Sequence, residues 1–320
     1  MRVEPEPLIV FARVAEAGSV SAAAETLHRT QPAVSAQLRK LTEAVGEPLY
    51  RRHRHGVRLT PAGEALLPYA QAVAAAVHGA QRWADELGGL LRGTVRVAAS
   101  MTVAVYQLPP ALAAFRRDHP RLGIVLLTRN SADAAELLAT GQADLAIVEG
   151  PVDDLPVGIE ASVFGLDWLA LVVHPAHPLR PEAPLPLRAL EGLDVVRREP
   201  GSGTREVVDR ALRVEGVELV TALEATGLDT VKQAVLAGLG AGFLSASAVR
   251  REVEAGALRV VPLASRALVR PLTLLRRPPG LSSRAARALV EHLERRAWEA
   301  APQPDGEAGG SSVAPSERTP

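Results

Sequence analysis

One stretch constrains this chain more than any other: Thr30-Gln31-Pro32-Ala33-Val34-Ser35-Ala36-Gln37-Leu38-Arg39-Lys40-Leu41. Val34, Leu38, Leu41 and Val45 fall at the three- and four-residue spacing of a helix with one buried stripe. The Gln-Pro pair after Thr30 marks a helix start, because an N–H missing from the first turn costs nothing there. Gln31, Ser35, Gln37, Arg39 and Lys40 occupy the other face, which carries amides, a hydroxyl and cations but no carboxylate. Amides and guanidinium groups meet base edges in a DNA major groove, and hydroxyls meet phosphates. Thr30, Gln31, Pro32, Ser35, Gln37 and Arg39 are therefore the expected groove-facing residues.

The flanking sequence agrees. Leu8, Phe11, Val14 and Ala15 predict a first amphipathic helix ended by Gly18, and Ser19 or Ser21 caps a short Ala-rich helix through Leu27. With the brief turn around His28 to Gln31 this makes a helix-turn-helix. Leu49 to Thr60 holds two strand-like runs about Gly56, a hairpin whose Arg51, Arg52 and Arg54 would lie on the phosphate backbone as a wing. Between Arg29 and Arg58 seven cations face only Glu43 and Glu47, a local balance of +5 in a chain whose 36 basic and 36 acidic residues cancel. Such concentration is an electrostatic footprint for a polyanion. A structural three-helix domain with a solvated basic face would explain the charge, but not its coincidence with the turn, the polar face and the wing.

Phe11-Ala12-Arg13-Val14-Ala15-Glu16-Ala17-Gly18-Ser19, Ala22 to Leu27, Gln31 to Leu38, Gly46-Glu47-Pro48-Leu49-Tyr50 and Leu59-Thr60-Pro61-Ala62-Gly63 resemble the DNA-binding head of the LysR-type transcriptional regulators. Two departures are small: Thr42 stands where the family usually has Glu, which changes local salt bridging, and Tyr50 where Phe is common. The resemblance implies an α/β chain with a winged helix-turn-helix at 1–60, a linker helix at 61–92 and a two-lobed periplasmic-binding-protein-like effector domain at 93–298. It also implies duplex DNA, a small-molecule effector, RNA polymerase and further copies of the chain, as homodimer or homotetramer, as partners.

From Pro61 the apolar residues Ala65, Leu66, Ala70, Val73, Val77, Ala80, Ala84, Leu87 and Leu91 keep a helical period up to Gly88-Gly89 and just beyond. A stripe this long exceeds what the small head can cover. It packs either on a second copy or on the chain's own downstream half. In the family the linker helix dimerises, so that two heads read an inverted repeat.

Downstream, strand-like runs at Thr94–Ala99, Gly123–Thr128 and Asp144–Glu149 alternate with helices at Tyr106–Arg117 and Ala132–Thr140. That βαβαβ order predicts a parallel sheet with helices on both faces. A second set follows, with strands near Asp167–Val173, Asp194–Arg198, Leu219–Leu223 and Ala241–Leu244 and helices near Thr204–Val214 and Leu228–Ala237. Arg270–Arg276 and a helix over Ser282–Trp298 return to the first set. The expected lobes are 93–166 with 267–298, and 167–266.

Polar groups gather where strands end and helices begin, as at Gly201-Ser202-Gly203-Thr204 and at Thr226-Gly227. Helix starts offer free N–H groups and a positive dipole end, so a cleft lined by them favours a small anion. The resemblance implies effector contacts at Ser100, Thr102, Asn130, Glu149, Ser202 and Thr204. Ser, Thr and Asn at such places also serve simply as helix caps. A carboxylate at Glu149 would repel an anion unless a cation or an effector amine pairs with it. Arg198 to Arg205, with Val148-Glu149-Gly150, is most similar to the branch governing sulfur assimilation, cysteine synthesis and carbon fixation, whose members answer to small sulfur compounds or phosphorylated metabolites.

Other signals point away from catalysis. Gly238-Leu239-Gly240-Ala241-Gly242 follows a helix and leads into a strand, the reverse of a dinucleotide fingerprint, and so predicts a helix C-cap turn. Gly201 to Thr204 lacks the Gly-Lys pair of an NTPase phosphate loop. The His53/His55 and His174/His177 pairs lack further ligands at metal-binding spacing. With no cysteine and no hydrolase constellation, neither an enzyme, a cofactor nor a metal is expected. The first ten residues carry no secretory pattern and no apolar run approaches a membrane span, so a cytoplasmic protein is expected. A solute-binding protein of transport is the alternative for the two-lobed half, and the basic head counts against it. The tail 299–320, with four Pro, three Gly and Val313 as its one strongly apolar residue, is expected to be disordered.

Overall fold

The computed structural model describes residues 3–53, 56–86, 93–150, 152, 155, 158–296 and 298. The wing residues Arg54 and His55, the pair Gly88-Gly89 with Leu87 and Leu91, and the tail at 299–320 lie outside these.

In the head, α1 (Pro5–Ala17) stops where Gly18 takes the left-handed conformation at φ 62°. Ser19, not Ser21, caps α2 (Val20–Thr26): its Oγ accepts from Ala22 N at 3.5 Å. His28, at φ 51°, turns the chain into α3 (Gln31–Val45). Val34, Leu38 and Leu41 are buried in one cluster with Val10, Phe11, Val14 and Ala23, as their spacing requires. The wing is an antiparallel hairpin of β1 (Tyr50–His53) and β2 (Gly56–Leu59). Val57 N donates to Gly18 O at 2.7 Å, and a Cβ on Gly56 would collide with that same carbonyl, so only glycine lets the wing dock here.

Helix α4 (Pro61–Glu86) takes up the described part of the linker. Its first half belongs to the head core through Ala70, with Leu66, Leu67 and Val73 packed against it. Further along, Ala74 and Ala75 are buried, and a Cβ on Gly141 would come within 3.0 Å of Ala75 Cα. Part of the apolar stripe is thus covered by the chain's own downstream half, while Tyr69, at 61% exposure, and Val77 remain open.

The downstream half is built on one nine-stranded sheet of order β4-β3-β5-β11-β6-β9-β7-β8, with β10 added to β6. Its first part comprises β3 (Gly93–Ser100), α5 (Leu108–Asp118), β4 (Leu122–Arg129), α6 (Ser131–Ala139) and β5 (Leu145–Glu149). A single π-helical turn, Val103–Gln107, leads into α5. The chain then passes through β6 (Glu160–Val173) to β7 (Asp194–Arg198), α7 (Gly203–Glu215), β8 (Val220–Ala225), α8 (Leu228–Leu236) and β9 (Ala241–Ser245). It closes with α9 (Ala246–Glu254), β10 (Arg259–Val261), β11 (Val269–Arg276) and α10 (Arg284–Arg295). Along β5, Leu145 and Ile147 enter one core while Ala146 and Val148 enter another, which is how a strand covered on both faces must alternate.

The parallel sheet expected from the βαβ order holds within each lobe, where β3 pairs with β4 and β5, and β7 with β8 and β9. The join is different: β11 runs antiparallel to β5, and β6 runs antiparallel to β11 and to β9. Strand β6 begins seven residues before the expected Asp167. Its first part pairs with β11 and its last residues with β9 and β10, so one continuous strand belongs to both lobes. Helix α9 and strand β10 were not expected.

Candidate DNA-reading face and effector cleft

On α3, Thr30, Gln31, Pro32, Arg39 and Lys40 are exposed. Ser35 is not: at 8% exposure it lies beneath the wing, where its Oγ accepts from Arg52 Nη2 at 3.1 Å. A helical period cannot show which side a downstream hairpin will cover, and here the hairpin covers Ser35. Gln37 is half-buried, with its carbonyl oxygen enclosed and without a hydrogen-bond partner among the described residues. The cationic surface is also smaller than the +5 count implies, because Glu4, which precedes α1, and Glu6 in its first turn reach it. Lys40 Nζ pairs with Glu4 at 2.6 Å and Arg29 with Glu6 at 2.7 Å. Arg39, Arg51, Arg52 and Arg58 are exposed and carry no ion pair among the described residues, Arg52 being tied to Ser35 alone, which makes them the open cations of this face.

The cleft forms where β3, β4 and β5 end opposite the starts of α7 and α8. Its centre is Arg270 on β11, a side chain with 0% exposure. Arg270 Nη2 lies 2.6 Å from Asp167 Oδ2 and 2.9 Å from Glu149 Oε2, and Nη1 donates to Thr204 Oγ1 at 2.7 Å. Thr102 Oγ1 donates to Glu149 Oε1 at 3.1 Å, and Ser245 Oγ donates to Asp167 Oδ1 at 2.7 Å. Burial pushes the Glu149 carboxyl above its ordinary pKa, with the Arg270 charge opposing. Burial alone would weaken the Arg270 charge, but Glu149 and Asp167 hold its pKa above the ordinary value.

Five of the six expected effector residues are buried around this cluster. Ser100 and Ser202 are each 1% exposed and their hydroxyls have no hydrogen-bond partner among the described residues. Ser202 stands at the N-cap of α7 without capping it, so the capping explanation does not account for its hydroxyl. It does account for Asn130, which is only half-buried: its Oδ1 accepts from Asp133 N at 2.8 Å, at the start of α6. The cation that Glu149 needs is Arg270, which lies 121 positions along the chain.

Glycine brings the lobes into contact. A Cβ on Gly203 would collide with Glu149 O, and Ala132 N donates to Gly201 O at 3.3 Å. Leu228 N approaches Met101 Sδ at 3.4 Å across the cleft, while within the first lobe Ser131 Oγ donates to Glu149 O at 2.9 Å. A second inter-lobe link joins Lys232 Nζ on α8 to Tyr106 OH at 3.0 Å, with Glu252 pairing the same ammonium at 2.8 Å. Helix α6 has its first turn in the cleft. Just past its other end, Gly141 meets Ala75 of α4 and Gln142 hydrogen-bonds Glu16 of α1.

Sequence reasoning missed Arg270, Asp167, Arg198, Ser245 and Met101. For Arg270 and Asp167 a signal was available: each is a lone charge in an apolar strand, within Val269 to Leu275 and Phe164 to Leu171. Such a charge needs a buried partner.

A winged helix-turn-helix joined to a two-lobed α/β half with a polar cleft defines a DNA-binding regulator under small-molecule control. The model "Bacterial regulatory helix-turn-helix protein, lysR family" matches residues 6–64, and "LysR substrate binding domain" matches residues 88–298. The chain belongs to the LysR family of transcriptional regulators. A RuBisCO operon transcriptional regulator of Acidithiobacillus ferrooxidans is 37% identical over 254 residues, covering 79% of this chain and 81% of that protein. This matches the carbon-fixation branch. Full-length OxyR of Pseudomonas aeruginosa shares the fold with a TM-score of 0.67 at 23% identity, over 96% of this chain and 99% of that one. The regulatory domain of Synechocystis CcmR, in complex with 2-PG, shares it with a TM-score of 0.58 at 23% identity, over 63% of this chain and 96% of that one. These findings favour the regulator over the transport protein.

Proposed function

We propose that the chain reads an operator with the exposed face of α3 and with its wing, and changes that reading when a small anionic effector enters the cleft between the lobes. The observation that carries the cleft reading is the pair of buried, unpartnered hydroxyls of Ser100 and Ser202, one on each lobe. Buried hydroxyls nearly always have partners, and a group held between the lobes would supply them. Thr102, Glu149 and Thr204 shape the same cleft through Arg270, and Asn130 holds its rim. The names of the relatives support carbon-fixation genes as the regulated set, and the 2-PG bound to CcmR supports a small-molecule effector.

Exposed Tyr69 and Val77 on α4 support pairing with a second copy, which would present two heads to an inverted repeat. Such a protein binds and does not transform its ligand, and acts in the cytoplasm, where its operator lies. Effector control requires different affinities for two arrangements of the protein. A gel-shift titration on the DNA upstream of its own gene and of the adjacent gene tests the proposal. Sequence-specific retardation is expected, and its absence on both fragments overturns the reading.

A further inference from the structure

Two guanidinium groups are buried at the cleft, and they are used differently. Arg270 is spent on protein partners: Asp167, Thr204 and Thr102 receive its N–H groups, and Glu149 Oε2 lies 2.9 Å from Nη2 as an ion pair without a hydrogen bond among the described residues. Arg198, which ends β7 at 4% exposure, is only half spent. Its Nε and Nη2 donate to the two oxygens of Glu199 at 2.8 and 2.9 Å. Its Nη1 is buried and has no hydrogen-bond partner among the described residues.

This group is held rigidly. Glu199 Oε2 also accepts from Gly227 N at 3.2 Å, so the carboxylate that grips Arg198 is itself fixed to the start of α8. Met101, next to Ser100, packs on the same Gly227: a Cβ there would come within 3.3 Å of the methionine Cε. Ser202 follows Arg198 by four residues through a turn closed by Ser202 N donating to Glu199 O at 3.3 Å. The Arg198 charge also acts on the Glu149 carboxylate. The free N–H groups of Arg198 therefore belong to the same small region as the two unpartnered hydroxyls.

All three are donors. Their formal charges do not make the region cationic, because Glu149, Asp167 and Glu199 outnumber the two arginines. An anion binding there would be recognised by directed N–H and O–H groups, an arrangement suited to an acceptor-rich tetrahedral oxyanion. We propose that Arg198 is the specificity-determining residue of the effector cleft, its Nη1 receiving, with Ser100 and Ser202, the oxygens of a phosphate monoester, while Glu199 acts as the positioning residue that aims it. This rests on the reading of the cleft as an effector site.

The test is isothermal titration of the full-length protein with inorganic phosphate, sulfate and 3-phosphoglycerate, with malonate as the carboxylate control. The wild type is expected to bind 3-phosphoglycerate or a free tetrahedral oxyanion at least tenfold tighter than malonate. Arg198→Ala should remove that preference, and Glu199→Gln should weaken it while leaving the cation in place. Arg198→Lys keeps the charge without the forked donors. It should also lose at least tenfold in oxyanion affinity while retaining operator binding, so the test survives if Arg198→Ala fails to fold. Affinity for the oxyanions unchanged in both Arg198 variants but lost in Ser100→Ala and Ser202→Ala would overturn the assignment and leave the cleft reading standing. Affinity unchanged in all four variants, or a wild type with no preference over malonate, would overturn the assignment. The four-variant result would remove the cleft reading with it.

Discussion

Arg270 of β11 and Asp167 of β6 are direct register partners, and both Nε and Nη2 of the arginine reach the same carboxylate oxygen, at 2.8 and 2.6 Å. They sit on the two antiparallel strands that join the lobes, next to the residue where β6 leaves β11 for β9. The pair is therefore both the floor of the cleft and part of the join.

Removing one member of such a cluster leaves the others buried and uncompensated. Arg270→Met should cost roughly 3 to 5 kcal/mol of stability, measured as a shift in the urea midpoint at neutral pH, because Asp167 and Glu149 lose their cation. A double change of Arg270→Met with Asp167→Leu should recover a large part of that loss. A single variant as stable as the wild type would show that the cluster contributes little.

Glu149 makes one contribution to stability depend on pH in a definite direction. Its folded pKa lies above the ordinary 4.5, so between those two values the native state holds a proton that the unfolded chain has released. Within that window its contribution falls as pH rises, and below 4.5 both states are protonated. Depressed carboxyls such as Glu199 and Glu252 work in the opposite sense, so the readout is a difference. The stability of Glu149→Gln relative to the wild type should grow as pH is raised through the window, followed by urea unfolding. A difference that stays constant with pH would contradict the assignment.

The burial of Ser35 separates two kinds of DNA contact. Arg39→Ala should weaken specific binding by roughly 1 to 3 kcal/mol where a base contact is lost, and flatten the preference for the operator. Arg52→Ala should weaken all sequences alike and reduce the salt dependence. Ser35→Ala should behave as a milder Arg52→Ala, since the hydroxyl touches that guanidinium and not the open face. Fluorescence anisotropy on operator and scrambled duplexes distinguishes the two patterns.

The docking of α4 on the first lobe turns on one glycine. Gly141 has φ 82° and its missing Cβ would lie 3.0 Å from Ala75 Cα. Gly141→Ala should cost about 1 to 2 kcal/mol from the left-handed backbone alone. It should also expose the linker to protease before the head or the lobes are cleaved, as limited proteolysis would reveal.

The head was legible because its signals are local: Gly18, Ser19, Gln31-Pro32 and the 34, 38, 41 stripe each act within a few residues. The lobes were legible because every βαβ unit repeats one hydrophobic rhythm. The long reach of β6 was not, since Glu160 to Leu166 mixes exposed and half-buried side chains without a clean period. The cleft was half legible. Hydroxyls at helix starts announce themselves, but Arg270 and Asp167 stand 103 positions apart, and no pattern within either strand names the other. Burial of Ser35 escaped for the same reason, being decided by Arg52, 17 positions away.

Helix α6 is nine residues long, a rod of about 14 Å. One tip faces the second lobe through Ala132 and Gly201; the other bears, through Gly141 and Gln142, on the helix that carries the DNA-reading module and on that module itself. A tilt of about 5° at the near tip moves the far one by about 1 Å. Within a single protomer, then, direct contacts already join the mouth of the cleft to the DNA-reading module, and such a tilt would reach it without the help of a second copy.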